Sequence, residues 1–330
     1  MKRLHCVFVR AIFSLCLILL LAALDLPIAA QQTSNLAGQT TSPRPDADSI
    51  VMTVTVTDKN GRYVSGLDKS AFTIYDNKVP QEIGFFTAKD EPTSIGVIFD
   101  VSNSVVEHGR EYLVAARDAF LRFIKLSNSE NEYFVIGFTD RARLLVDWTH
   151  DGEVVEDGLS KLDLTSKKVS QTALYDACYL GIEKMQGRTY PKQAILLISD
   201  GLDNESRHTF TGLREQLRAS GVLLYSIYIS TTDPQSSLAM DGQAVMNELS
   251  SITGGMALLP DSKKKVEESF DRIGIELQHQ YLLGFKLLSD KADGKWHQVK
   301  IKVTPPTTML HISNPHARSR EGYYATKNLR

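Results

Sequence analysis

Cysteine is scarce, and its placement excludes a disulfide scaffold. Of three cysteines in 330 residues, Cys6 and Cys16 fall in the first sixteen positions and only Cys178 remains in the body of the chain. A lone cysteine forms no internal bridge, so packing must hold the fold. Cys178 sits in the helical run from Ala173 to Met185 and reads as a small core residue. No G-x-x-x-x-G-K-[ST] phosphate loop, G-x-G-x-x-G turn, H-E-x-x-H helix or G-x-S-x-G elbow occurs, and the eight histidines include no i, i+4 pair. Nucleotide, zinc-hydrolase and serine-hydrolase chemistry therefore lack their anchors. Charge of one sign is missing too, with a formal net charge of −2. Nothing here advertises nucleic acid.

What is present begins with a leader. Lys2, Arg3 and Arg10 precede an apolar run from Ala11 to Leu24, and Pro27-Ile-Ala-Ala30 supplies small residues for cleavage. Residues 1–30 thus have the layout of a secretory signal peptide. An uncleaved anchor is the alternative, since Ile28 fits the small-x-small rule poorly. The apolar run is nevertheless short for a span of about 20 residues. Leu15 before Cys16 argues against lipid attachment. Cleavage would remove three bases and one acid, taking the net charge from −2 to −4. Residues 31–48, rich in Gln, Thr, Ser and Pro, read as a flexible spacer.

The body then divides into three. In 49–91, Met52, Val54 and Val56 alternate with threonines, Asn60-Gly61 marks a turn, and Phe72 and Ile74 alternate into Asp76-Asn77, which predicts an N-terminal β region. In 92–279, continuous apolar runs alternate with helical periods. Ile95 to Phe99, Phe134 to Phe138, Ala194 to Ile198 and Val222 to Ile229 read as strands buried on both faces. Leu113, Ala116, Phe120 and Ile124 line one helix face, and Leu213 with Leu217 another. This grammar calls for an α/β fold, a doubly wound and mostly parallel sheet. In 280–330 the strand period returns with Tyr281 to Leu287 and Val299 to Val303, and Met309 to Ile312 is expected to begin a further strand. The two end regions are expected to pair into one lobe, the alternative being two small lobes.

The chemistry concentrates where two buried strands end. Asp100-Val-Ser102-Asn-Ser104 follows Ile95 to Phe99, Asp200 follows Ile195-Leu-Leu-Ile-Ser199, and Thr172 opens the intervening helix. Crevices in such sheets lie at the carboxyl ends of the strands, so Asp100 and Asp200 occupy one rim. Short oxygen side chains with retained water suit magnesium. Together the D-x-S-x-S, the threonine and the aspartate resemble the metal-ion-dependent adhesion site (MIDAS) of the von Willebrand factor A domain. That resemblance implies that Ser102, Ser104 and Thr172 touch a divalent cation, with Asp100 and Asp200 as its carboxylates. Magnesium is the expected ion, manganese or calcium the alternatives. It also implies a bridge through the ion to an Asp or Glu of a partner protein. The order of β region, A domain, Tyr-Leu-Leu-Gly-Phe and Arg320-Glu-Gly-Tyr-Tyr further resembles exported bacterial A-domain proteins, best represented among acidobacteria.

Competing readings carry less. A phosphoaspartate hydrolase would need D-x-D, and Ser102 fills the second acidic position. Asp203, Asn204 and Glu205 read as a solvated loop that could tune the ion. His208 reads as a surface residue at a helix start, Tyr175 and Asp176 as packing or capping residues. Trp148 ends an edge strand, half-buried or as a recognition anchor, and Lys263-Lys-Lys265 forms a solvated face. The sequence thus predicts an exported, non-catalytic, metal-dependent binding protein of the cell envelope. The alternative is a structural envelope module whose metal site only stabilises the fold.

Overall fold

The computed structural model describes residues 49–164, 171–230, 233–288, 291–309, 312 and 314–326. The leader and spacer expected at 1–30 and 31–48 lie outside the described residues. The chain begins with β1 (Ser49–Thr57), β2 (Phe72–Asp76), β3 (Val79–Gln81) and β4 (Phe85–Thr87). The α/β portion follows as β5 (Thr93–Asp100), α1 (Asn103–Leu126), β6 (Glu132–Phe138), β7 (Ala142–Thr149), α2 (Gly152–Ser160), α3 (Leu174–Met185), β8 (Lys192–Ser199), α4 (Phe210–Ser220), β9 (Leu223–Tyr228), α5 (Ser237–Thr253), β10 (Ala257–Leu258) and α6 (Lys263–Gln278). Strands β11 (Tyr281–Lys286), β12 (Trp296–Val303), β13 (His316–Arg318) and β14 (Gly322–Tyr324) complete it.

The central sheet runs β10-β9-β8-β5-β6-β7, parallel except for the antiparallel edge strand β7. Every residue of β5, β6, β8 and β9 is buried. That is why these strands are unbroken apolar runs: helices cover both faces. On one face Leu113, Ala116 and Phe120 of α1, Val155 of α2, and Val266, Phe270 and Ile273 of α6 pack on Val97 and Phe99. On the other, Leu174 and Ala177 of α3, Leu213 of α4 and Met246 of α5 meet Ile98, Ile195 and Leu197. Burying one such Leu, Ile or Phe side chain contributes about 1.5–3 kcal/mol. Strand order reverses between β5 and β8, so the crevice of a doubly wound sheet opens above the ends of those two strands.

The two ends of the chain build one β lobe. Strand β1 pairs antiparallel with β11, in register Ser49 to Lys286 through Val54 to Tyr281, and β2 pairs with β12 from Phe72–Val303 to Asp76–Val299. The sheets β13-β1-β11-β4 and β14-β12-β2-β3 share a core that includes Met52, Val54, Ile74, Leu283, Phe285 and Val299. Each end region alone would leave half of that core in water. The expected strand onset at Met309 is instead a single 3-10 turn, Thr307–Met309. Proline at 305 and 306 removes two ladder donors just before it.

A buried carboxylate joins the lobe to the α/β portion. Glu276 of α6 is fully buried. Its Oε1 accepts from Thr55 Oγ1 at 3.0 Å, Tyr225 Oη at 2.7 Å and Arg318 Nη2 at 2.6 Å, and its Oε2 accepts from Tyr63 Oη at 3.0 Å. The partners come from β1, β9, β13 and the loop after β1. A buried charge is tolerated when it is paired and hydrogen-bonded in this way.

Candidate metal-binding rim

Parallel pairing sets the geometry of the rim. Phe99 lies opposite Ile198, which carries Asp100 and Ser199 to the same level at the ends of β5 and β8. Asp100 is completely buried; its Oδ2 accepts from Ser199 Oγ at 2.7 Å and its Oδ1 from the Ser102 amide at 2.9 Å. The chain then turns into α1. Ser102 is its N-cap, and Ser104 stands in its first turn. Ser104 Oγ donates to Asp200 Oδ2 at 2.8 Å and lies 3.3 Å from Ser102 Oγ. Asp100, Ser199, Ser102, Ser104 and Asp200 therefore form one oxygen-rich cluster spanning two strand ends and a helix start.

Asp200 is fixed from behind. Gly201 has φ +77, a conformation glycine adopts without cost, and a Cβ there would lie 2.3 Å from the Gly242 carbonyl oxygen. Reciprocally, a Cβ on Gly242 would meet the Asp200 carbonyl oxygen at 2.1 Å. The loop after β8 thus rests directly on the backbone of α5.

Thr172 is tied through its backbone to the loop that follows Asp200, and its bonds to that loop do not bring its hydroxyl into the cluster. Its amide donates to Asn204 Oδ1 at 2.8 Å, and its carbonyl accepts from the amides of Asn204 at 3.0 Å and Glu205 at 3.2 Å. The Ala173 amide donates to the Thr139 carbonyl at the end of β6. Thr172 itself is buried. Helix α3 starts at Leu174, two residues later than Thr172. Asn204 and Glu205 are exposed, as expected of a solvated loop, yet the loop after Asp200 is also bonded to the start of α3. Asp203 Oδ1 accepts from the Tyr175 amide at 3.1 Å, and Asp176 accepts from the amides of Arg207 and His208, both at 3.1 Å. His208 stacks on Tyr179 with ring centroids 3.7 Å apart and bonds Asp176 at 2.7 Å. Ser199 is the residue that sequence reasoning left without a role, and Asn204 supports the Thr172 backbone.

The electrostatics are those of a cluster short of positive charge. Burial raises the pKa of Asp100, and the nearby Asp200 carboxylate raises it further. Burial also raises the pKa of Asp200. Hydrogen bonds from serines and backbone amides oppose both rises, and among the described residues no cationic side chain is a cause of either shift. Two hard carboxylates with hydroxyl oxygens form a donor set that suits a magnesium-, manganese- or calcium-like ion. Among the described residues no cluster of three or more His, Cys, Asp or Glu could hold an ion. Any cation here would depend on hydroxyl oxygens as well.

Other sequence candidates are structural. Trp148 is half-buried; its indole N–H donates to the Lys184 carbonyl and its ring meets Phe134 edge-on at 4.8 Å. Cys178 is buried and its thiol is pushed up to about 12 by burial, which leaves it protonated and inert. Among the described residues no helix is long and apolar enough to cross a membrane.

Residues 95–202 match the family model described as von Willebrand factor type A domain. Similar solved structures include an aerotolerance-related membrane protein from Bacteroides fragilis, 15% identical over 57% of this chain and 98% of that one, with a TM-score of 0.41. The vWF domain of the type V pili tip protein Mfa5 from Porphyromonas gingivalis is 11% identical over 56% of this chain and 94% of that one, with a TM-score of 0.43. Proximal thread matrix protein 1 from the mussel byssus, solved with a zinc-occupied MIDAS motif, is 15% identical over 57% of this chain, with a TM-score of 0.45; the match spans 48% of its length. No curated protein matches the sequence.

Proposed function

We propose that this chain, whose residues 95–202 match the von Willebrand factor type A domain model, is an exported, non-catalytic module that binds a partner protein through a divalent cation. The observation that carries this reading is the pair of buried carboxylates, Asp100 and Asp200, linked by serine hydroxyls at the crevice rim with no cation among the described residues to balance them. Ser102, Ser104 and Thr172 hold the ion, magnesium in the first instance, and Asp100 and Asp200 offset its charge. A bound ion would supply the positive charge that pairs with a Glu or Asp of the partner, whose burial would otherwise be costly. Ser199 fixes Asp100, Asn204 fixes the Thr172 backbone, and the Gly201–Gly242 contact fixes Asp200. These neighbours hold the oxygens before the partner arrives, which lowers the ordering cost of binding.

The complete burial of Asp100 favours a second reading, in which the ion serves the fold alone. Capture of cell-envelope proteins on the immobilised full chain, in magnesium and in chelator, separates the two. The first reading expects acidic-surfaced partners to be retained in magnesium and released by chelation. If chelation lowers the melting temperature yet every captured protein stays bound, only the structural role survives.

A further inference from the structure

At the opposite end of the sheet, where β8 begins, the α/β portion and the β lobe enclose a crevice of about 480 Å³. This lies within the range of small-molecule sites, about 300–1,000 Å³. Its walls come from the end of α3, the end of α4, the starts of β8 and β9, strand β1 and Arg320. Along β8, Gln193 lies six residues from Ser199, or about 20 Å from the rim. The two places are therefore separate.

The charge of its walls sets this crevice apart. Arg188 and Arg320 both line it, and no Asp or Glu does. Among the described residues neither guanidinium forms an ion pair. Arg188 Nη1 donates to the Met185 carbonyl at 3.1 Å, Arg320 Nη2 to the Val51 carbonyl at 3.0 Å, and Arg320 Nε faces Met52 Sδ. Burial lowers the pKa of Arg188, and that of Arg320 down to about 10; no carboxylate counters either effect. Desolvating a cation without a counter-charge is costly, and proteins ordinarily pair such groups. Each guanidinium has five donors, of which the contacts named use one or two.

The wall is also shaped around Arg320. Gly221, at φ +70, ends α4, and a Cβ there would lie 2.7 Å from Arg320 Nη1 and 3.6 Å from Gln193 Nε2. Gln193 Nε2 donates to the Ser220 carbonyl at 3.2 Å, which fixes the amide orientation. The guanidinium and the amide therefore meet over a position that no side chain fills.

We propose that this crevice binds a small oxyanion, a carboxylate or phosphate group, held by the forked donors of Arg188 and Arg320. The planar guanidinium matches such groups in a bidentate manner, and charge-assisted bonds of this kind are among the stronger ones. The anion supplies the counter-charge that the walls lack.

Calorimetric titration of the full chain with sodium phosphate and with sodium citrate, against sodium chloride at matched ionic strength, tests this. Saturable binding of at least one anion is expected, and the tighter of the two identifies the group recognised. Arg188→Gln and Arg320→Gln should each weaken it about tenfold or more, whereas the control Lys300→Gln on the exposed face of β12 leaves it unchanged. Should Arg320→Gln fail to fold, Arg188→Gln decides alone. The proposal is overturned if neither anion saturates, if Arg188→Gln binds like the parent, or if Lys300→Gln weakens binding equally. Chelator leaves this binding intact, so its outcome is independent of the metal rim.

Discussion

Replacing Asp100 by Asn should produce opposite effects with and without metal, and the sign of each follows from the rim. Asn keeps the shape: its carbonyl can accept from the Ser102 amide, and its amide can donate to Ser199 Oγ once that hydroxyl turns. What it removes is a buried negative charge facing a second one. The rise of the Asp100 pKa from 3.8 to about 7 corresponds to an upper bound of roughly 4 kcal/mol against the ionised form. Reorienting Ser199 offsets part of that, leaving a net gain on the order of 2 kcal/mol. In EDTA at pH 8, Asp100→Asn should thus be more stable than the parent in urea unfolding. In magnesium at about 100 times its dissociation constant the parent should gain about 2.7 kcal/mol, and Asp100→Asn little or none. The order of stability inverts between the two buffers. A variant less stable than the parent in EDTA, or one gaining as much from magnesium, would refute the placement of Asp100 in a metal cluster.

Two further predictions concern buried charges elsewhere. Lys192 is buried at the start of β8 with its Nζ donating to the Leu277 carbonyl, and burial lowers its pKa to about 8. Between about pH 8 and 10.5 the unfolded chain binds the extra proton, so this group makes stability rise with pH, by up to roughly 3 kcal/mol. The difference between the parent and Lys192→Met in urea unfolding should show that slope; a flat difference removes the desolvated lysine from the account. Glu276→Leu leaves Arg318 without its carboxylate and strands the hydroxyls of Thr55 and Tyr225. A loss of about 3–5 kcal/mol is expected, measured by chemical denaturation, and the added Arg318→Leu should return part of it. A double variant whose loss equals the sum of the two single losses would show that the pair is not coupled.

The α/β portion was legible because burial on both faces writes itself as unbroken apolar runs, as in Ile95 to Phe99, and because the residues after those runs land on one rim. That Asp100, Ser102, Ser104 and Asp200 meet at one rim could be read for the same reason. The supports of that cluster were not legible. Ser199 and Asn204 act on partners 99 and 32 positions away, and a short polar residue carries no local sign of a distant partner. Glu276 reads like any acid on a charged helix, yet it is the buried joint of two sheets and a helix. The turn at Met309 shows the reverse error, since apolar residues suggest a strand where Pro305-Pro306 denies it the ladder.

Because β1 lies against β11, this early strand leaves the ribosome and waits for one made more than 220 residues later. At about 5–20 residues per second that interval is roughly 10–50 s. Throughout it Met52 and Val54 lack the strand that pairs with them, while the central sheet between them and their partner can already close. The lobe is thus a clasp, fastened last, and a ribosome stalled before Tyr281 would release a finished middle with an open, sticky ribbon at its front.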